Sequence, residues 1–138
     1  MKHLKRFSAI HSLLEQSNEA TDNFKQELKE FCENNLAYLL DEGRLLVEDS
    51  RDKIVRVQIS FDRYKDWNEI KDHIIPFFIR LTNRYKVVEK YTDDVDVYIS
   101  TRKFRSVQNT RFKITDLIDN DNLEISDIDI ICLFVEKN

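Results

Sequence analysis

The chain has 138 residues, 41% of them hydrophobic and 35% charged, with a net charge of −4 at pH 7. That length suits one domain, and so large an apolar fraction argues against disorder of the whole chain. The negative balance argues against non-specific nucleic-acid binding by the molecule as a whole, and a single glycine, Gly43, excludes the P-loop and the dinucleotide fingerprint, whose phosphate cradles need several.

Residues 1–20 place Leu4, Phe7, Ile10, His11 and Leu14 at helical spacing, which predicts a short amphipathic helix. The stretch EQSNEATDN then loses its apolar residues and reads as a linker. The expected organisation is therefore an N-terminal segment with its linker over 1–20, ahead of one domain over 21–138. A helix from about Asp22 to Glu42 follows, with Phe24, Leu28, Phe31, Cys32, Leu36, Leu39 and Leu40 on one stripe. Thr21, Asp22 and Asn23 offer an N-cap, and Gly43 stands where a left-handed C′ cap belongs.

RLLVEDSRDKIVRVQISF predicts a β-hairpin turning at EDSRD, because Val55, Val57, Ile59 and Phe61 alternate with Arg56, Gln58 and Ser60. DWNEIKDHIIPFFIRLTNRY predicts a further helix, opened by the capping-box pair Asp66 and Glu69. Trp67, Ile70, Ile74, Phe77, Phe78, Leu81 and Tyr85 share its apolar face, and Pro76 inside the pattern predicts a kink or a split. YKVVEKYTDDVDVYIS reads as a second hairpin turning at residues 92–94. TDLIDND suggests a helical turn capped by Thr115 or Asp116. The closing ISDIDIICLFVEKN carries a continuous apolar run, as a central strand does. The fold class expected is α+β, a mainly antiparallel sheet of four to five strands with two or three helices packed on one face. No run of about 18 apolar residues occurs, so no membrane span is expected.

Chemistry-bearing residues are sparse. Cys32 and Cys132 lie in apolar contexts without metal or redox spacing, and read as two buried thiols. His3, His11 and His73 have no second ligand at motif distance. Asp119 and Asp121 begin like a calcium loop, but Leu123 and Glu124 stand where a third ligand and the glycine belong. No serine or cysteine carries a nucleophile signature, so a non-enzymatic protein without a cofactor or metal is expected.

The segment TRKFRSVQNTRFK stands apart. Arg102, Lys103, Arg105, Arg111 and Lys113 come without an acid, and Phe104 and Phe112 interleave with them. Cations suit phosphates and flat rings suit unpaired bases, so this is a candidate single-stranded nucleic-acid contact. A competing reading folds the segment against the acidic residues beyond Ile114 in an internally neutralised surface, and a third gives it a protein partner.

The opening MKHLKRFSAIHSLLE resembles the Met-Lys-led targeting peptides of internal-head and capsid-associated proteins in large contractile-tailed bacteriophages. Their prohead protease cuts after Leu-x-Glu, which Leu13-Leu14-Glu15 matches, leaving Gln16 as the new terminus. ELKEFCENNLAYLLDEG and WNEIKDHIIPFFIRL are similar in texture to the small α+β proteins of such phages. The resemblance implies a virion-associated accessory protein in the host cytoplasm, with capsid or other phage proteins as partners. An ordinary helix packed on the domain, or a membrane-surface or partner-binding helix, would use the same residues.

Overall fold

A computed structural model describes residues 8–51, 53–88 and 96–137, and of residues 8–22 and Asp96 it describes the backbone alone. The elements in chain order are α1 (Ser8–Leu40), β1 (Gly43–Arg51), β2 (Ile54–Lys65), α2 (Trp67–Arg84), β3 (Lys86–Val88), β4 (Asp96–Lys103), β5 (Ser106–Lys113), α3 (Ile114–Asp119) and β6 (Ile128–Glu136).

The period-two alternation of β2 buries Val55, Val57, Ile59 and Phe61 on one face. β6, the continuously apolar strand, lies in the middle of one six-stranded antiparallel sheet of order β1-β2-β6-β4-β5. β2 runs along one edge of β6, while β4 and the short β3 share the other. Ile131, Leu133 and Val135 of β6 join Val97 and Ile99 of β4 on the face already lined by β2. α1 and α2 cover that face with Leu28, Cys32, Leu36, Ile74, Phe77 and Leu81. Two apolar layers, one of sheet and one of helix, thus close the core from one side. The α+β class, the antiparallel sheet and the helices match expectation, with one strand more than the four to five foreseen.

The N-cap of α2 is Asp66, and the reciprocal half of its capping box is present: the Asp66 N–H donates to Glu69 Oε1 at 3.2 Å. The helix continues through Pro76, which lies on the exposed side, so the proline neither splits nor ends it. The expected helical turn near 115–121 is α3, but its N-cap is Lys113 and not Thr115 or Asp116.

Three local expectations change. The stretch read as a linker is helical backbone within α1, and Thr21, Asp22 and Asn23 lie inside the helix rather than at its cap. No glycine or proline interrupts residues 8–40, so loss of the apolar stripe does not break the helix. Gly43 has no positive φ and is not a left-handed cap. It opens β1, and its reason is space: a Cβ there would lie 2.7 Å from the backbone oxygen of Ser60. The third change concerns the second hairpin. β3 and β4 do not pair with each other but lie end to end along β6, with β3 on Phe134 to Glu136 and β4 on Ile128 to Leu133. The proposed turn at 92–94 lies outside the described residues. The second hairpin is instead β4–β5, formed by the basic segment itself.

Candidate nucleic-acid interface

β4 and β5 pair without interruption from Asp96↔Lys113 to Lys103↔Ser106, leaving Phe104 and Arg105 as a two-residue turn. Phe104 has φ of 57°, a conformation that such turns demand and that side chains other than glycine, asparagine and aspartate seldom adopt. The Ser106 hydroxyl donates to the Lys103 carbonyl at 2.9 Å and closes the turn. Pairing with β6 ends at Thr101, with the Arg102 N–H donating to the Asp127 carbonyl at 3.0 Å. The tip therefore overhangs the sheet, and the Phe104 ring is 94% exposed.

Strand alternation divides the basic segment. Arg102, Arg111 and Lys113 fall on the sheet face opposite the helices, together with Tyr98, Ser100 and Asn109. Lys103 has the other parity but lies beyond β6, where it is exposed, and Arg105 is exposed in the turn. Phe112 does not join them. It is half-buried against the core and lines a cleft with Asp116, Asp119 and Leu123. Of the two interleaved phenylalanines, only Phe104 presents a ring to solvent at the basic tip.

The open face continues across the sheet in register. Leu46, Gln58, Cys132, Tyr98 and Arg111 form one row, and Ser60, Ile130, Ser100 and Asn109 the next. A shallow groove of about 410 Å³ follows these rows between Arg56 and Asn109. Tyr98 meets Phe134 edge to face, ring centroids 5.9 Å apart at 87°. Ser100 donates to the Asn109 amide oxygen, and Gln58 donates to the Ser60 hydroxyl at 3.2 Å. Arg56 pairs with Glu48 of β1, while its Nε atom is buried with no hydrogen-bond partner among the described residues. Cys132 is a half-buried thiol on this face, far from the buried Cys32 of α1. Burial pushes the Cys32 thiol up to about 12, so it stays protonated and is no nucleophile.

Charge pairing separates this region from the rest. Lys25, Lys65, Arg84 and Lys137 each meet a carboxylate. Among the described residues, Arg102, Lys103, Arg105 and Lys113 form no ion pair. The acids of α3 lie around Phe112 rather than against these cations. Among the described residues, none of these four cations is neutralised by an ion pair.

A second depression, about 290 Å³, lies between the end of α1 and the start of α2, lined by Tyr38, Asp41, Glu42, Lys65 and Glu69. Glu42 and Lys65 pair there; the lysine holds the carboxyl below its usual range and the carboxylate holds the ammonium above its own. Each therefore stays charged near neutrality, and neither is poised to exchange a proton. Tyr38 stacks on His73 with ring centroids 4.4 Å apart. The side chains of Leu13 and Glu15, with His3 and His11, lie outside the described residues.

Tyr98, Phe134 and Arg56 had no place in the sequence-based site, because they come from three strands separated by up to 78 positions, residues 56 to 134. The one available signal was the polar set Arg56, Gln58 and Ser60 on β2, which marked a face that no helix would cover. No protein-family model, curated protein or solved structure gives a significant match to this chain.

Proposed function

We propose that this protein is a small, non-catalytic nucleic-acid-binding module that holds single-stranded RNA or DNA across the open sheet face and the β4–β5 hairpin. The observation that carries this reading is the set Arg102, Lys103, Arg105 and Lys113, which form no ion pair among the described residues, with Arg102 and Lys113 on the sheet face that also holds Tyr98, Ser100 and Asn109. Phosphates of a single strand meet the guanidinium and ammonium groups, releasing counterions. Unpaired bases offer flat faces to an aromatic ring and hydrogen-bonding edges to Asn109, Gln58 and Ser100. The net negative charge of the whole chain does not oppose this, since charge acts locally: Asp116 and Asp119 of α3 gather around Phe112, and Glu48 on the open face is paired with Arg56.

Fluorescence anisotropy of a labelled single-stranded oligonucleotide at two salt concentrations tests the reading. Wild type should bind with a steep salt dependence. Replacing Arg102, Arg105 and Lys113 by alanine should shallow the logarithmic salt slope by about 2, at ~0.7 per phosphate contact. Absence of binding, or a triple variant with wild-type affinity and slope, overturns it.

A second proposal concerns residues 1–15 and rests on the Leu13-x-Glu15 pattern: the segment is a targeting peptide of a virion-associated phage protein. The intact mass of the protein from its natural source decides it. A chain starting at Gln16 supports processing, and a chain starting at Met1 overturns it.

A further inference from the structure

We infer that Phe104 is an end-stacking wedge, and that the preferred ligand is a single strand joined to a duplex end rather than a uniform single strand. This rests on the nucleic-acid reading above and names the substrate class within it.

Phe104 combines three properties. Its ring is 94% exposed, its backbone is left-handed at φ 57°, and it sits between Lys103 and Arg105 on a hairpin that overhangs the sheet. An aromatic ring at such a position gains nothing from burial and sits in a backbone region where glycine is unstrained. A strained, outward-facing residue points to a role for its side chain.

The chemistry of that role follows from position. Phe104 lies six positions beyond Tyr98, or roughly 20 Å at the usual rise per residue. No single base spans that distance. A ligand touching both must therefore reach the sheet face with several nucleotides of single strand and offer a further ring face at the tip. Inside a duplex, bases are stacked on both sides, and wedging between them costs unstacking free energy. A terminal base pair has one face already bare, so stacking on it requires no unstacking. Lys103 and Arg105 flank the ring, where the phosphates of the two strands at a duplex end diverge.

An exposed ring between cations could also serve an anionic membrane surface. The adjoining face carries apolar Val107 and Ile130, but Arg102, Asn109, Ser100 and Gln58 fill it with hydrogen-bonding groups, which favours nucleic acid over a membrane interior.

The test compares two labelled probes by anisotropy, a single strand of about 12 nucleotides and the same strand extending from a blunt-ended duplex. Wild type should bind the junction about tenfold more tightly than the single strand, the worth of one base–ring stack. Phe104→Gly, which suits the left-handed backbone and keeps the fold, should abolish that preference, so that the junction and the single strand bind alike. Phe104→Trp should restore the preference. Equal wild-type affinity for the two probes, or a preference retained by Phe104→Gly, overturns the inference and leaves the single-strand reading standing. Failure of wild type to bind either probe overturns both, as does binding to phosphatidylserine vesicles, lost in Phe104→Gly, with no binding to the probes.

Discussion

The two faces of the sheet come from the same strands and obey opposite rules. On the helix-covered face, Val57, Leu133 and Val97 meet in register and are fully buried. One residue along each strand, the open face carries Arg56 or Gln58, Cys132 and Tyr98, all only half-buried. Period-two geometry lets one chain write both compositions independently. Burial on the first face supplies stability, so the second can hold cations and rings that add little to it.

The sharpest way to break this contrast is in stability. Phe77→Ala, fully buried beneath the sheet, should cost about 3–5 kcal/mol in urea denaturation. Tyr98→Ala on the open face should cost less than about half as much. Equal losses would mean that the open face is a second core.

Gly43→Ala should come next, at about 1–3 kcal/mol, because its Cβ must displace the Ser60 backbone rather than a flexible side chain. A neutral result would show that β1 and β2 can separate at that end without loss.

A smaller effect sharpens the functional side. Tyr98→Leu keeps apolar volume but removes the phenol ring, so single-strand affinity should fall about fivefold or more while stability changes by less than about 1 kcal/mol. An affinity equal to wild type would confine binding to the hairpin and remove the sheet face from the site.

The smallest effect is electrostatic and belongs to the exposed Glu42–Lys65 pair. Lys65 lowers the Glu42 carboxyl below its usual 4.5, and Glu42 raises the Lys65 ammonium above its usual 10.5. A depressed carboxyl stabilises fully above its unfolded value and loses that contribution as pH falls through the folded one. A raised ammonium stabilises fully below its unfolded value and loses that contribution as pH rises through the folded one. The pair therefore contributes between these two limits, and Glu42→Gln should differ slightly from wild type at neutral pH. The difference should close as pH falls below about 4. A gap that persists in acid would trace the loss to packing instead of charge.

Legibility followed the range of the physics involved. The α2 helix could be read from its capping box and stripe, because both lie within a few residues. The centrality of β6 could be read from its unbroken apolar run. The second hairpin was misread because alternation identifies a strand without naming its partner. Val87 and Val88 are both buried against β6, which is long enough to take β3 and β4 in succession. The cations of the site were legible as a cluster, but Phe112 was not separable from Phe104. Which ring faces solvent depends on the register of β5 against β4 and on the core beneath it.

By itself the sequence determined the α+β class, the identity of the central strand, the apolar stripe of α2 and the clustering of five cations between Arg102 and Lys113. Those are properties of composition and short-range periodicity, which the chain carries wherever it folds. Only the tertiary structure decided that β4 pairs with β5 and not β3, and that the helices cover one face alone. It alone placed Tyr98 and Arg56 on the sheet face that Arg102 and Lys113 share. Those outcomes depend on which distant strands compete for the edges of β6, a contest set by hydrogen-bond register and shared burial that no local window of residues contains.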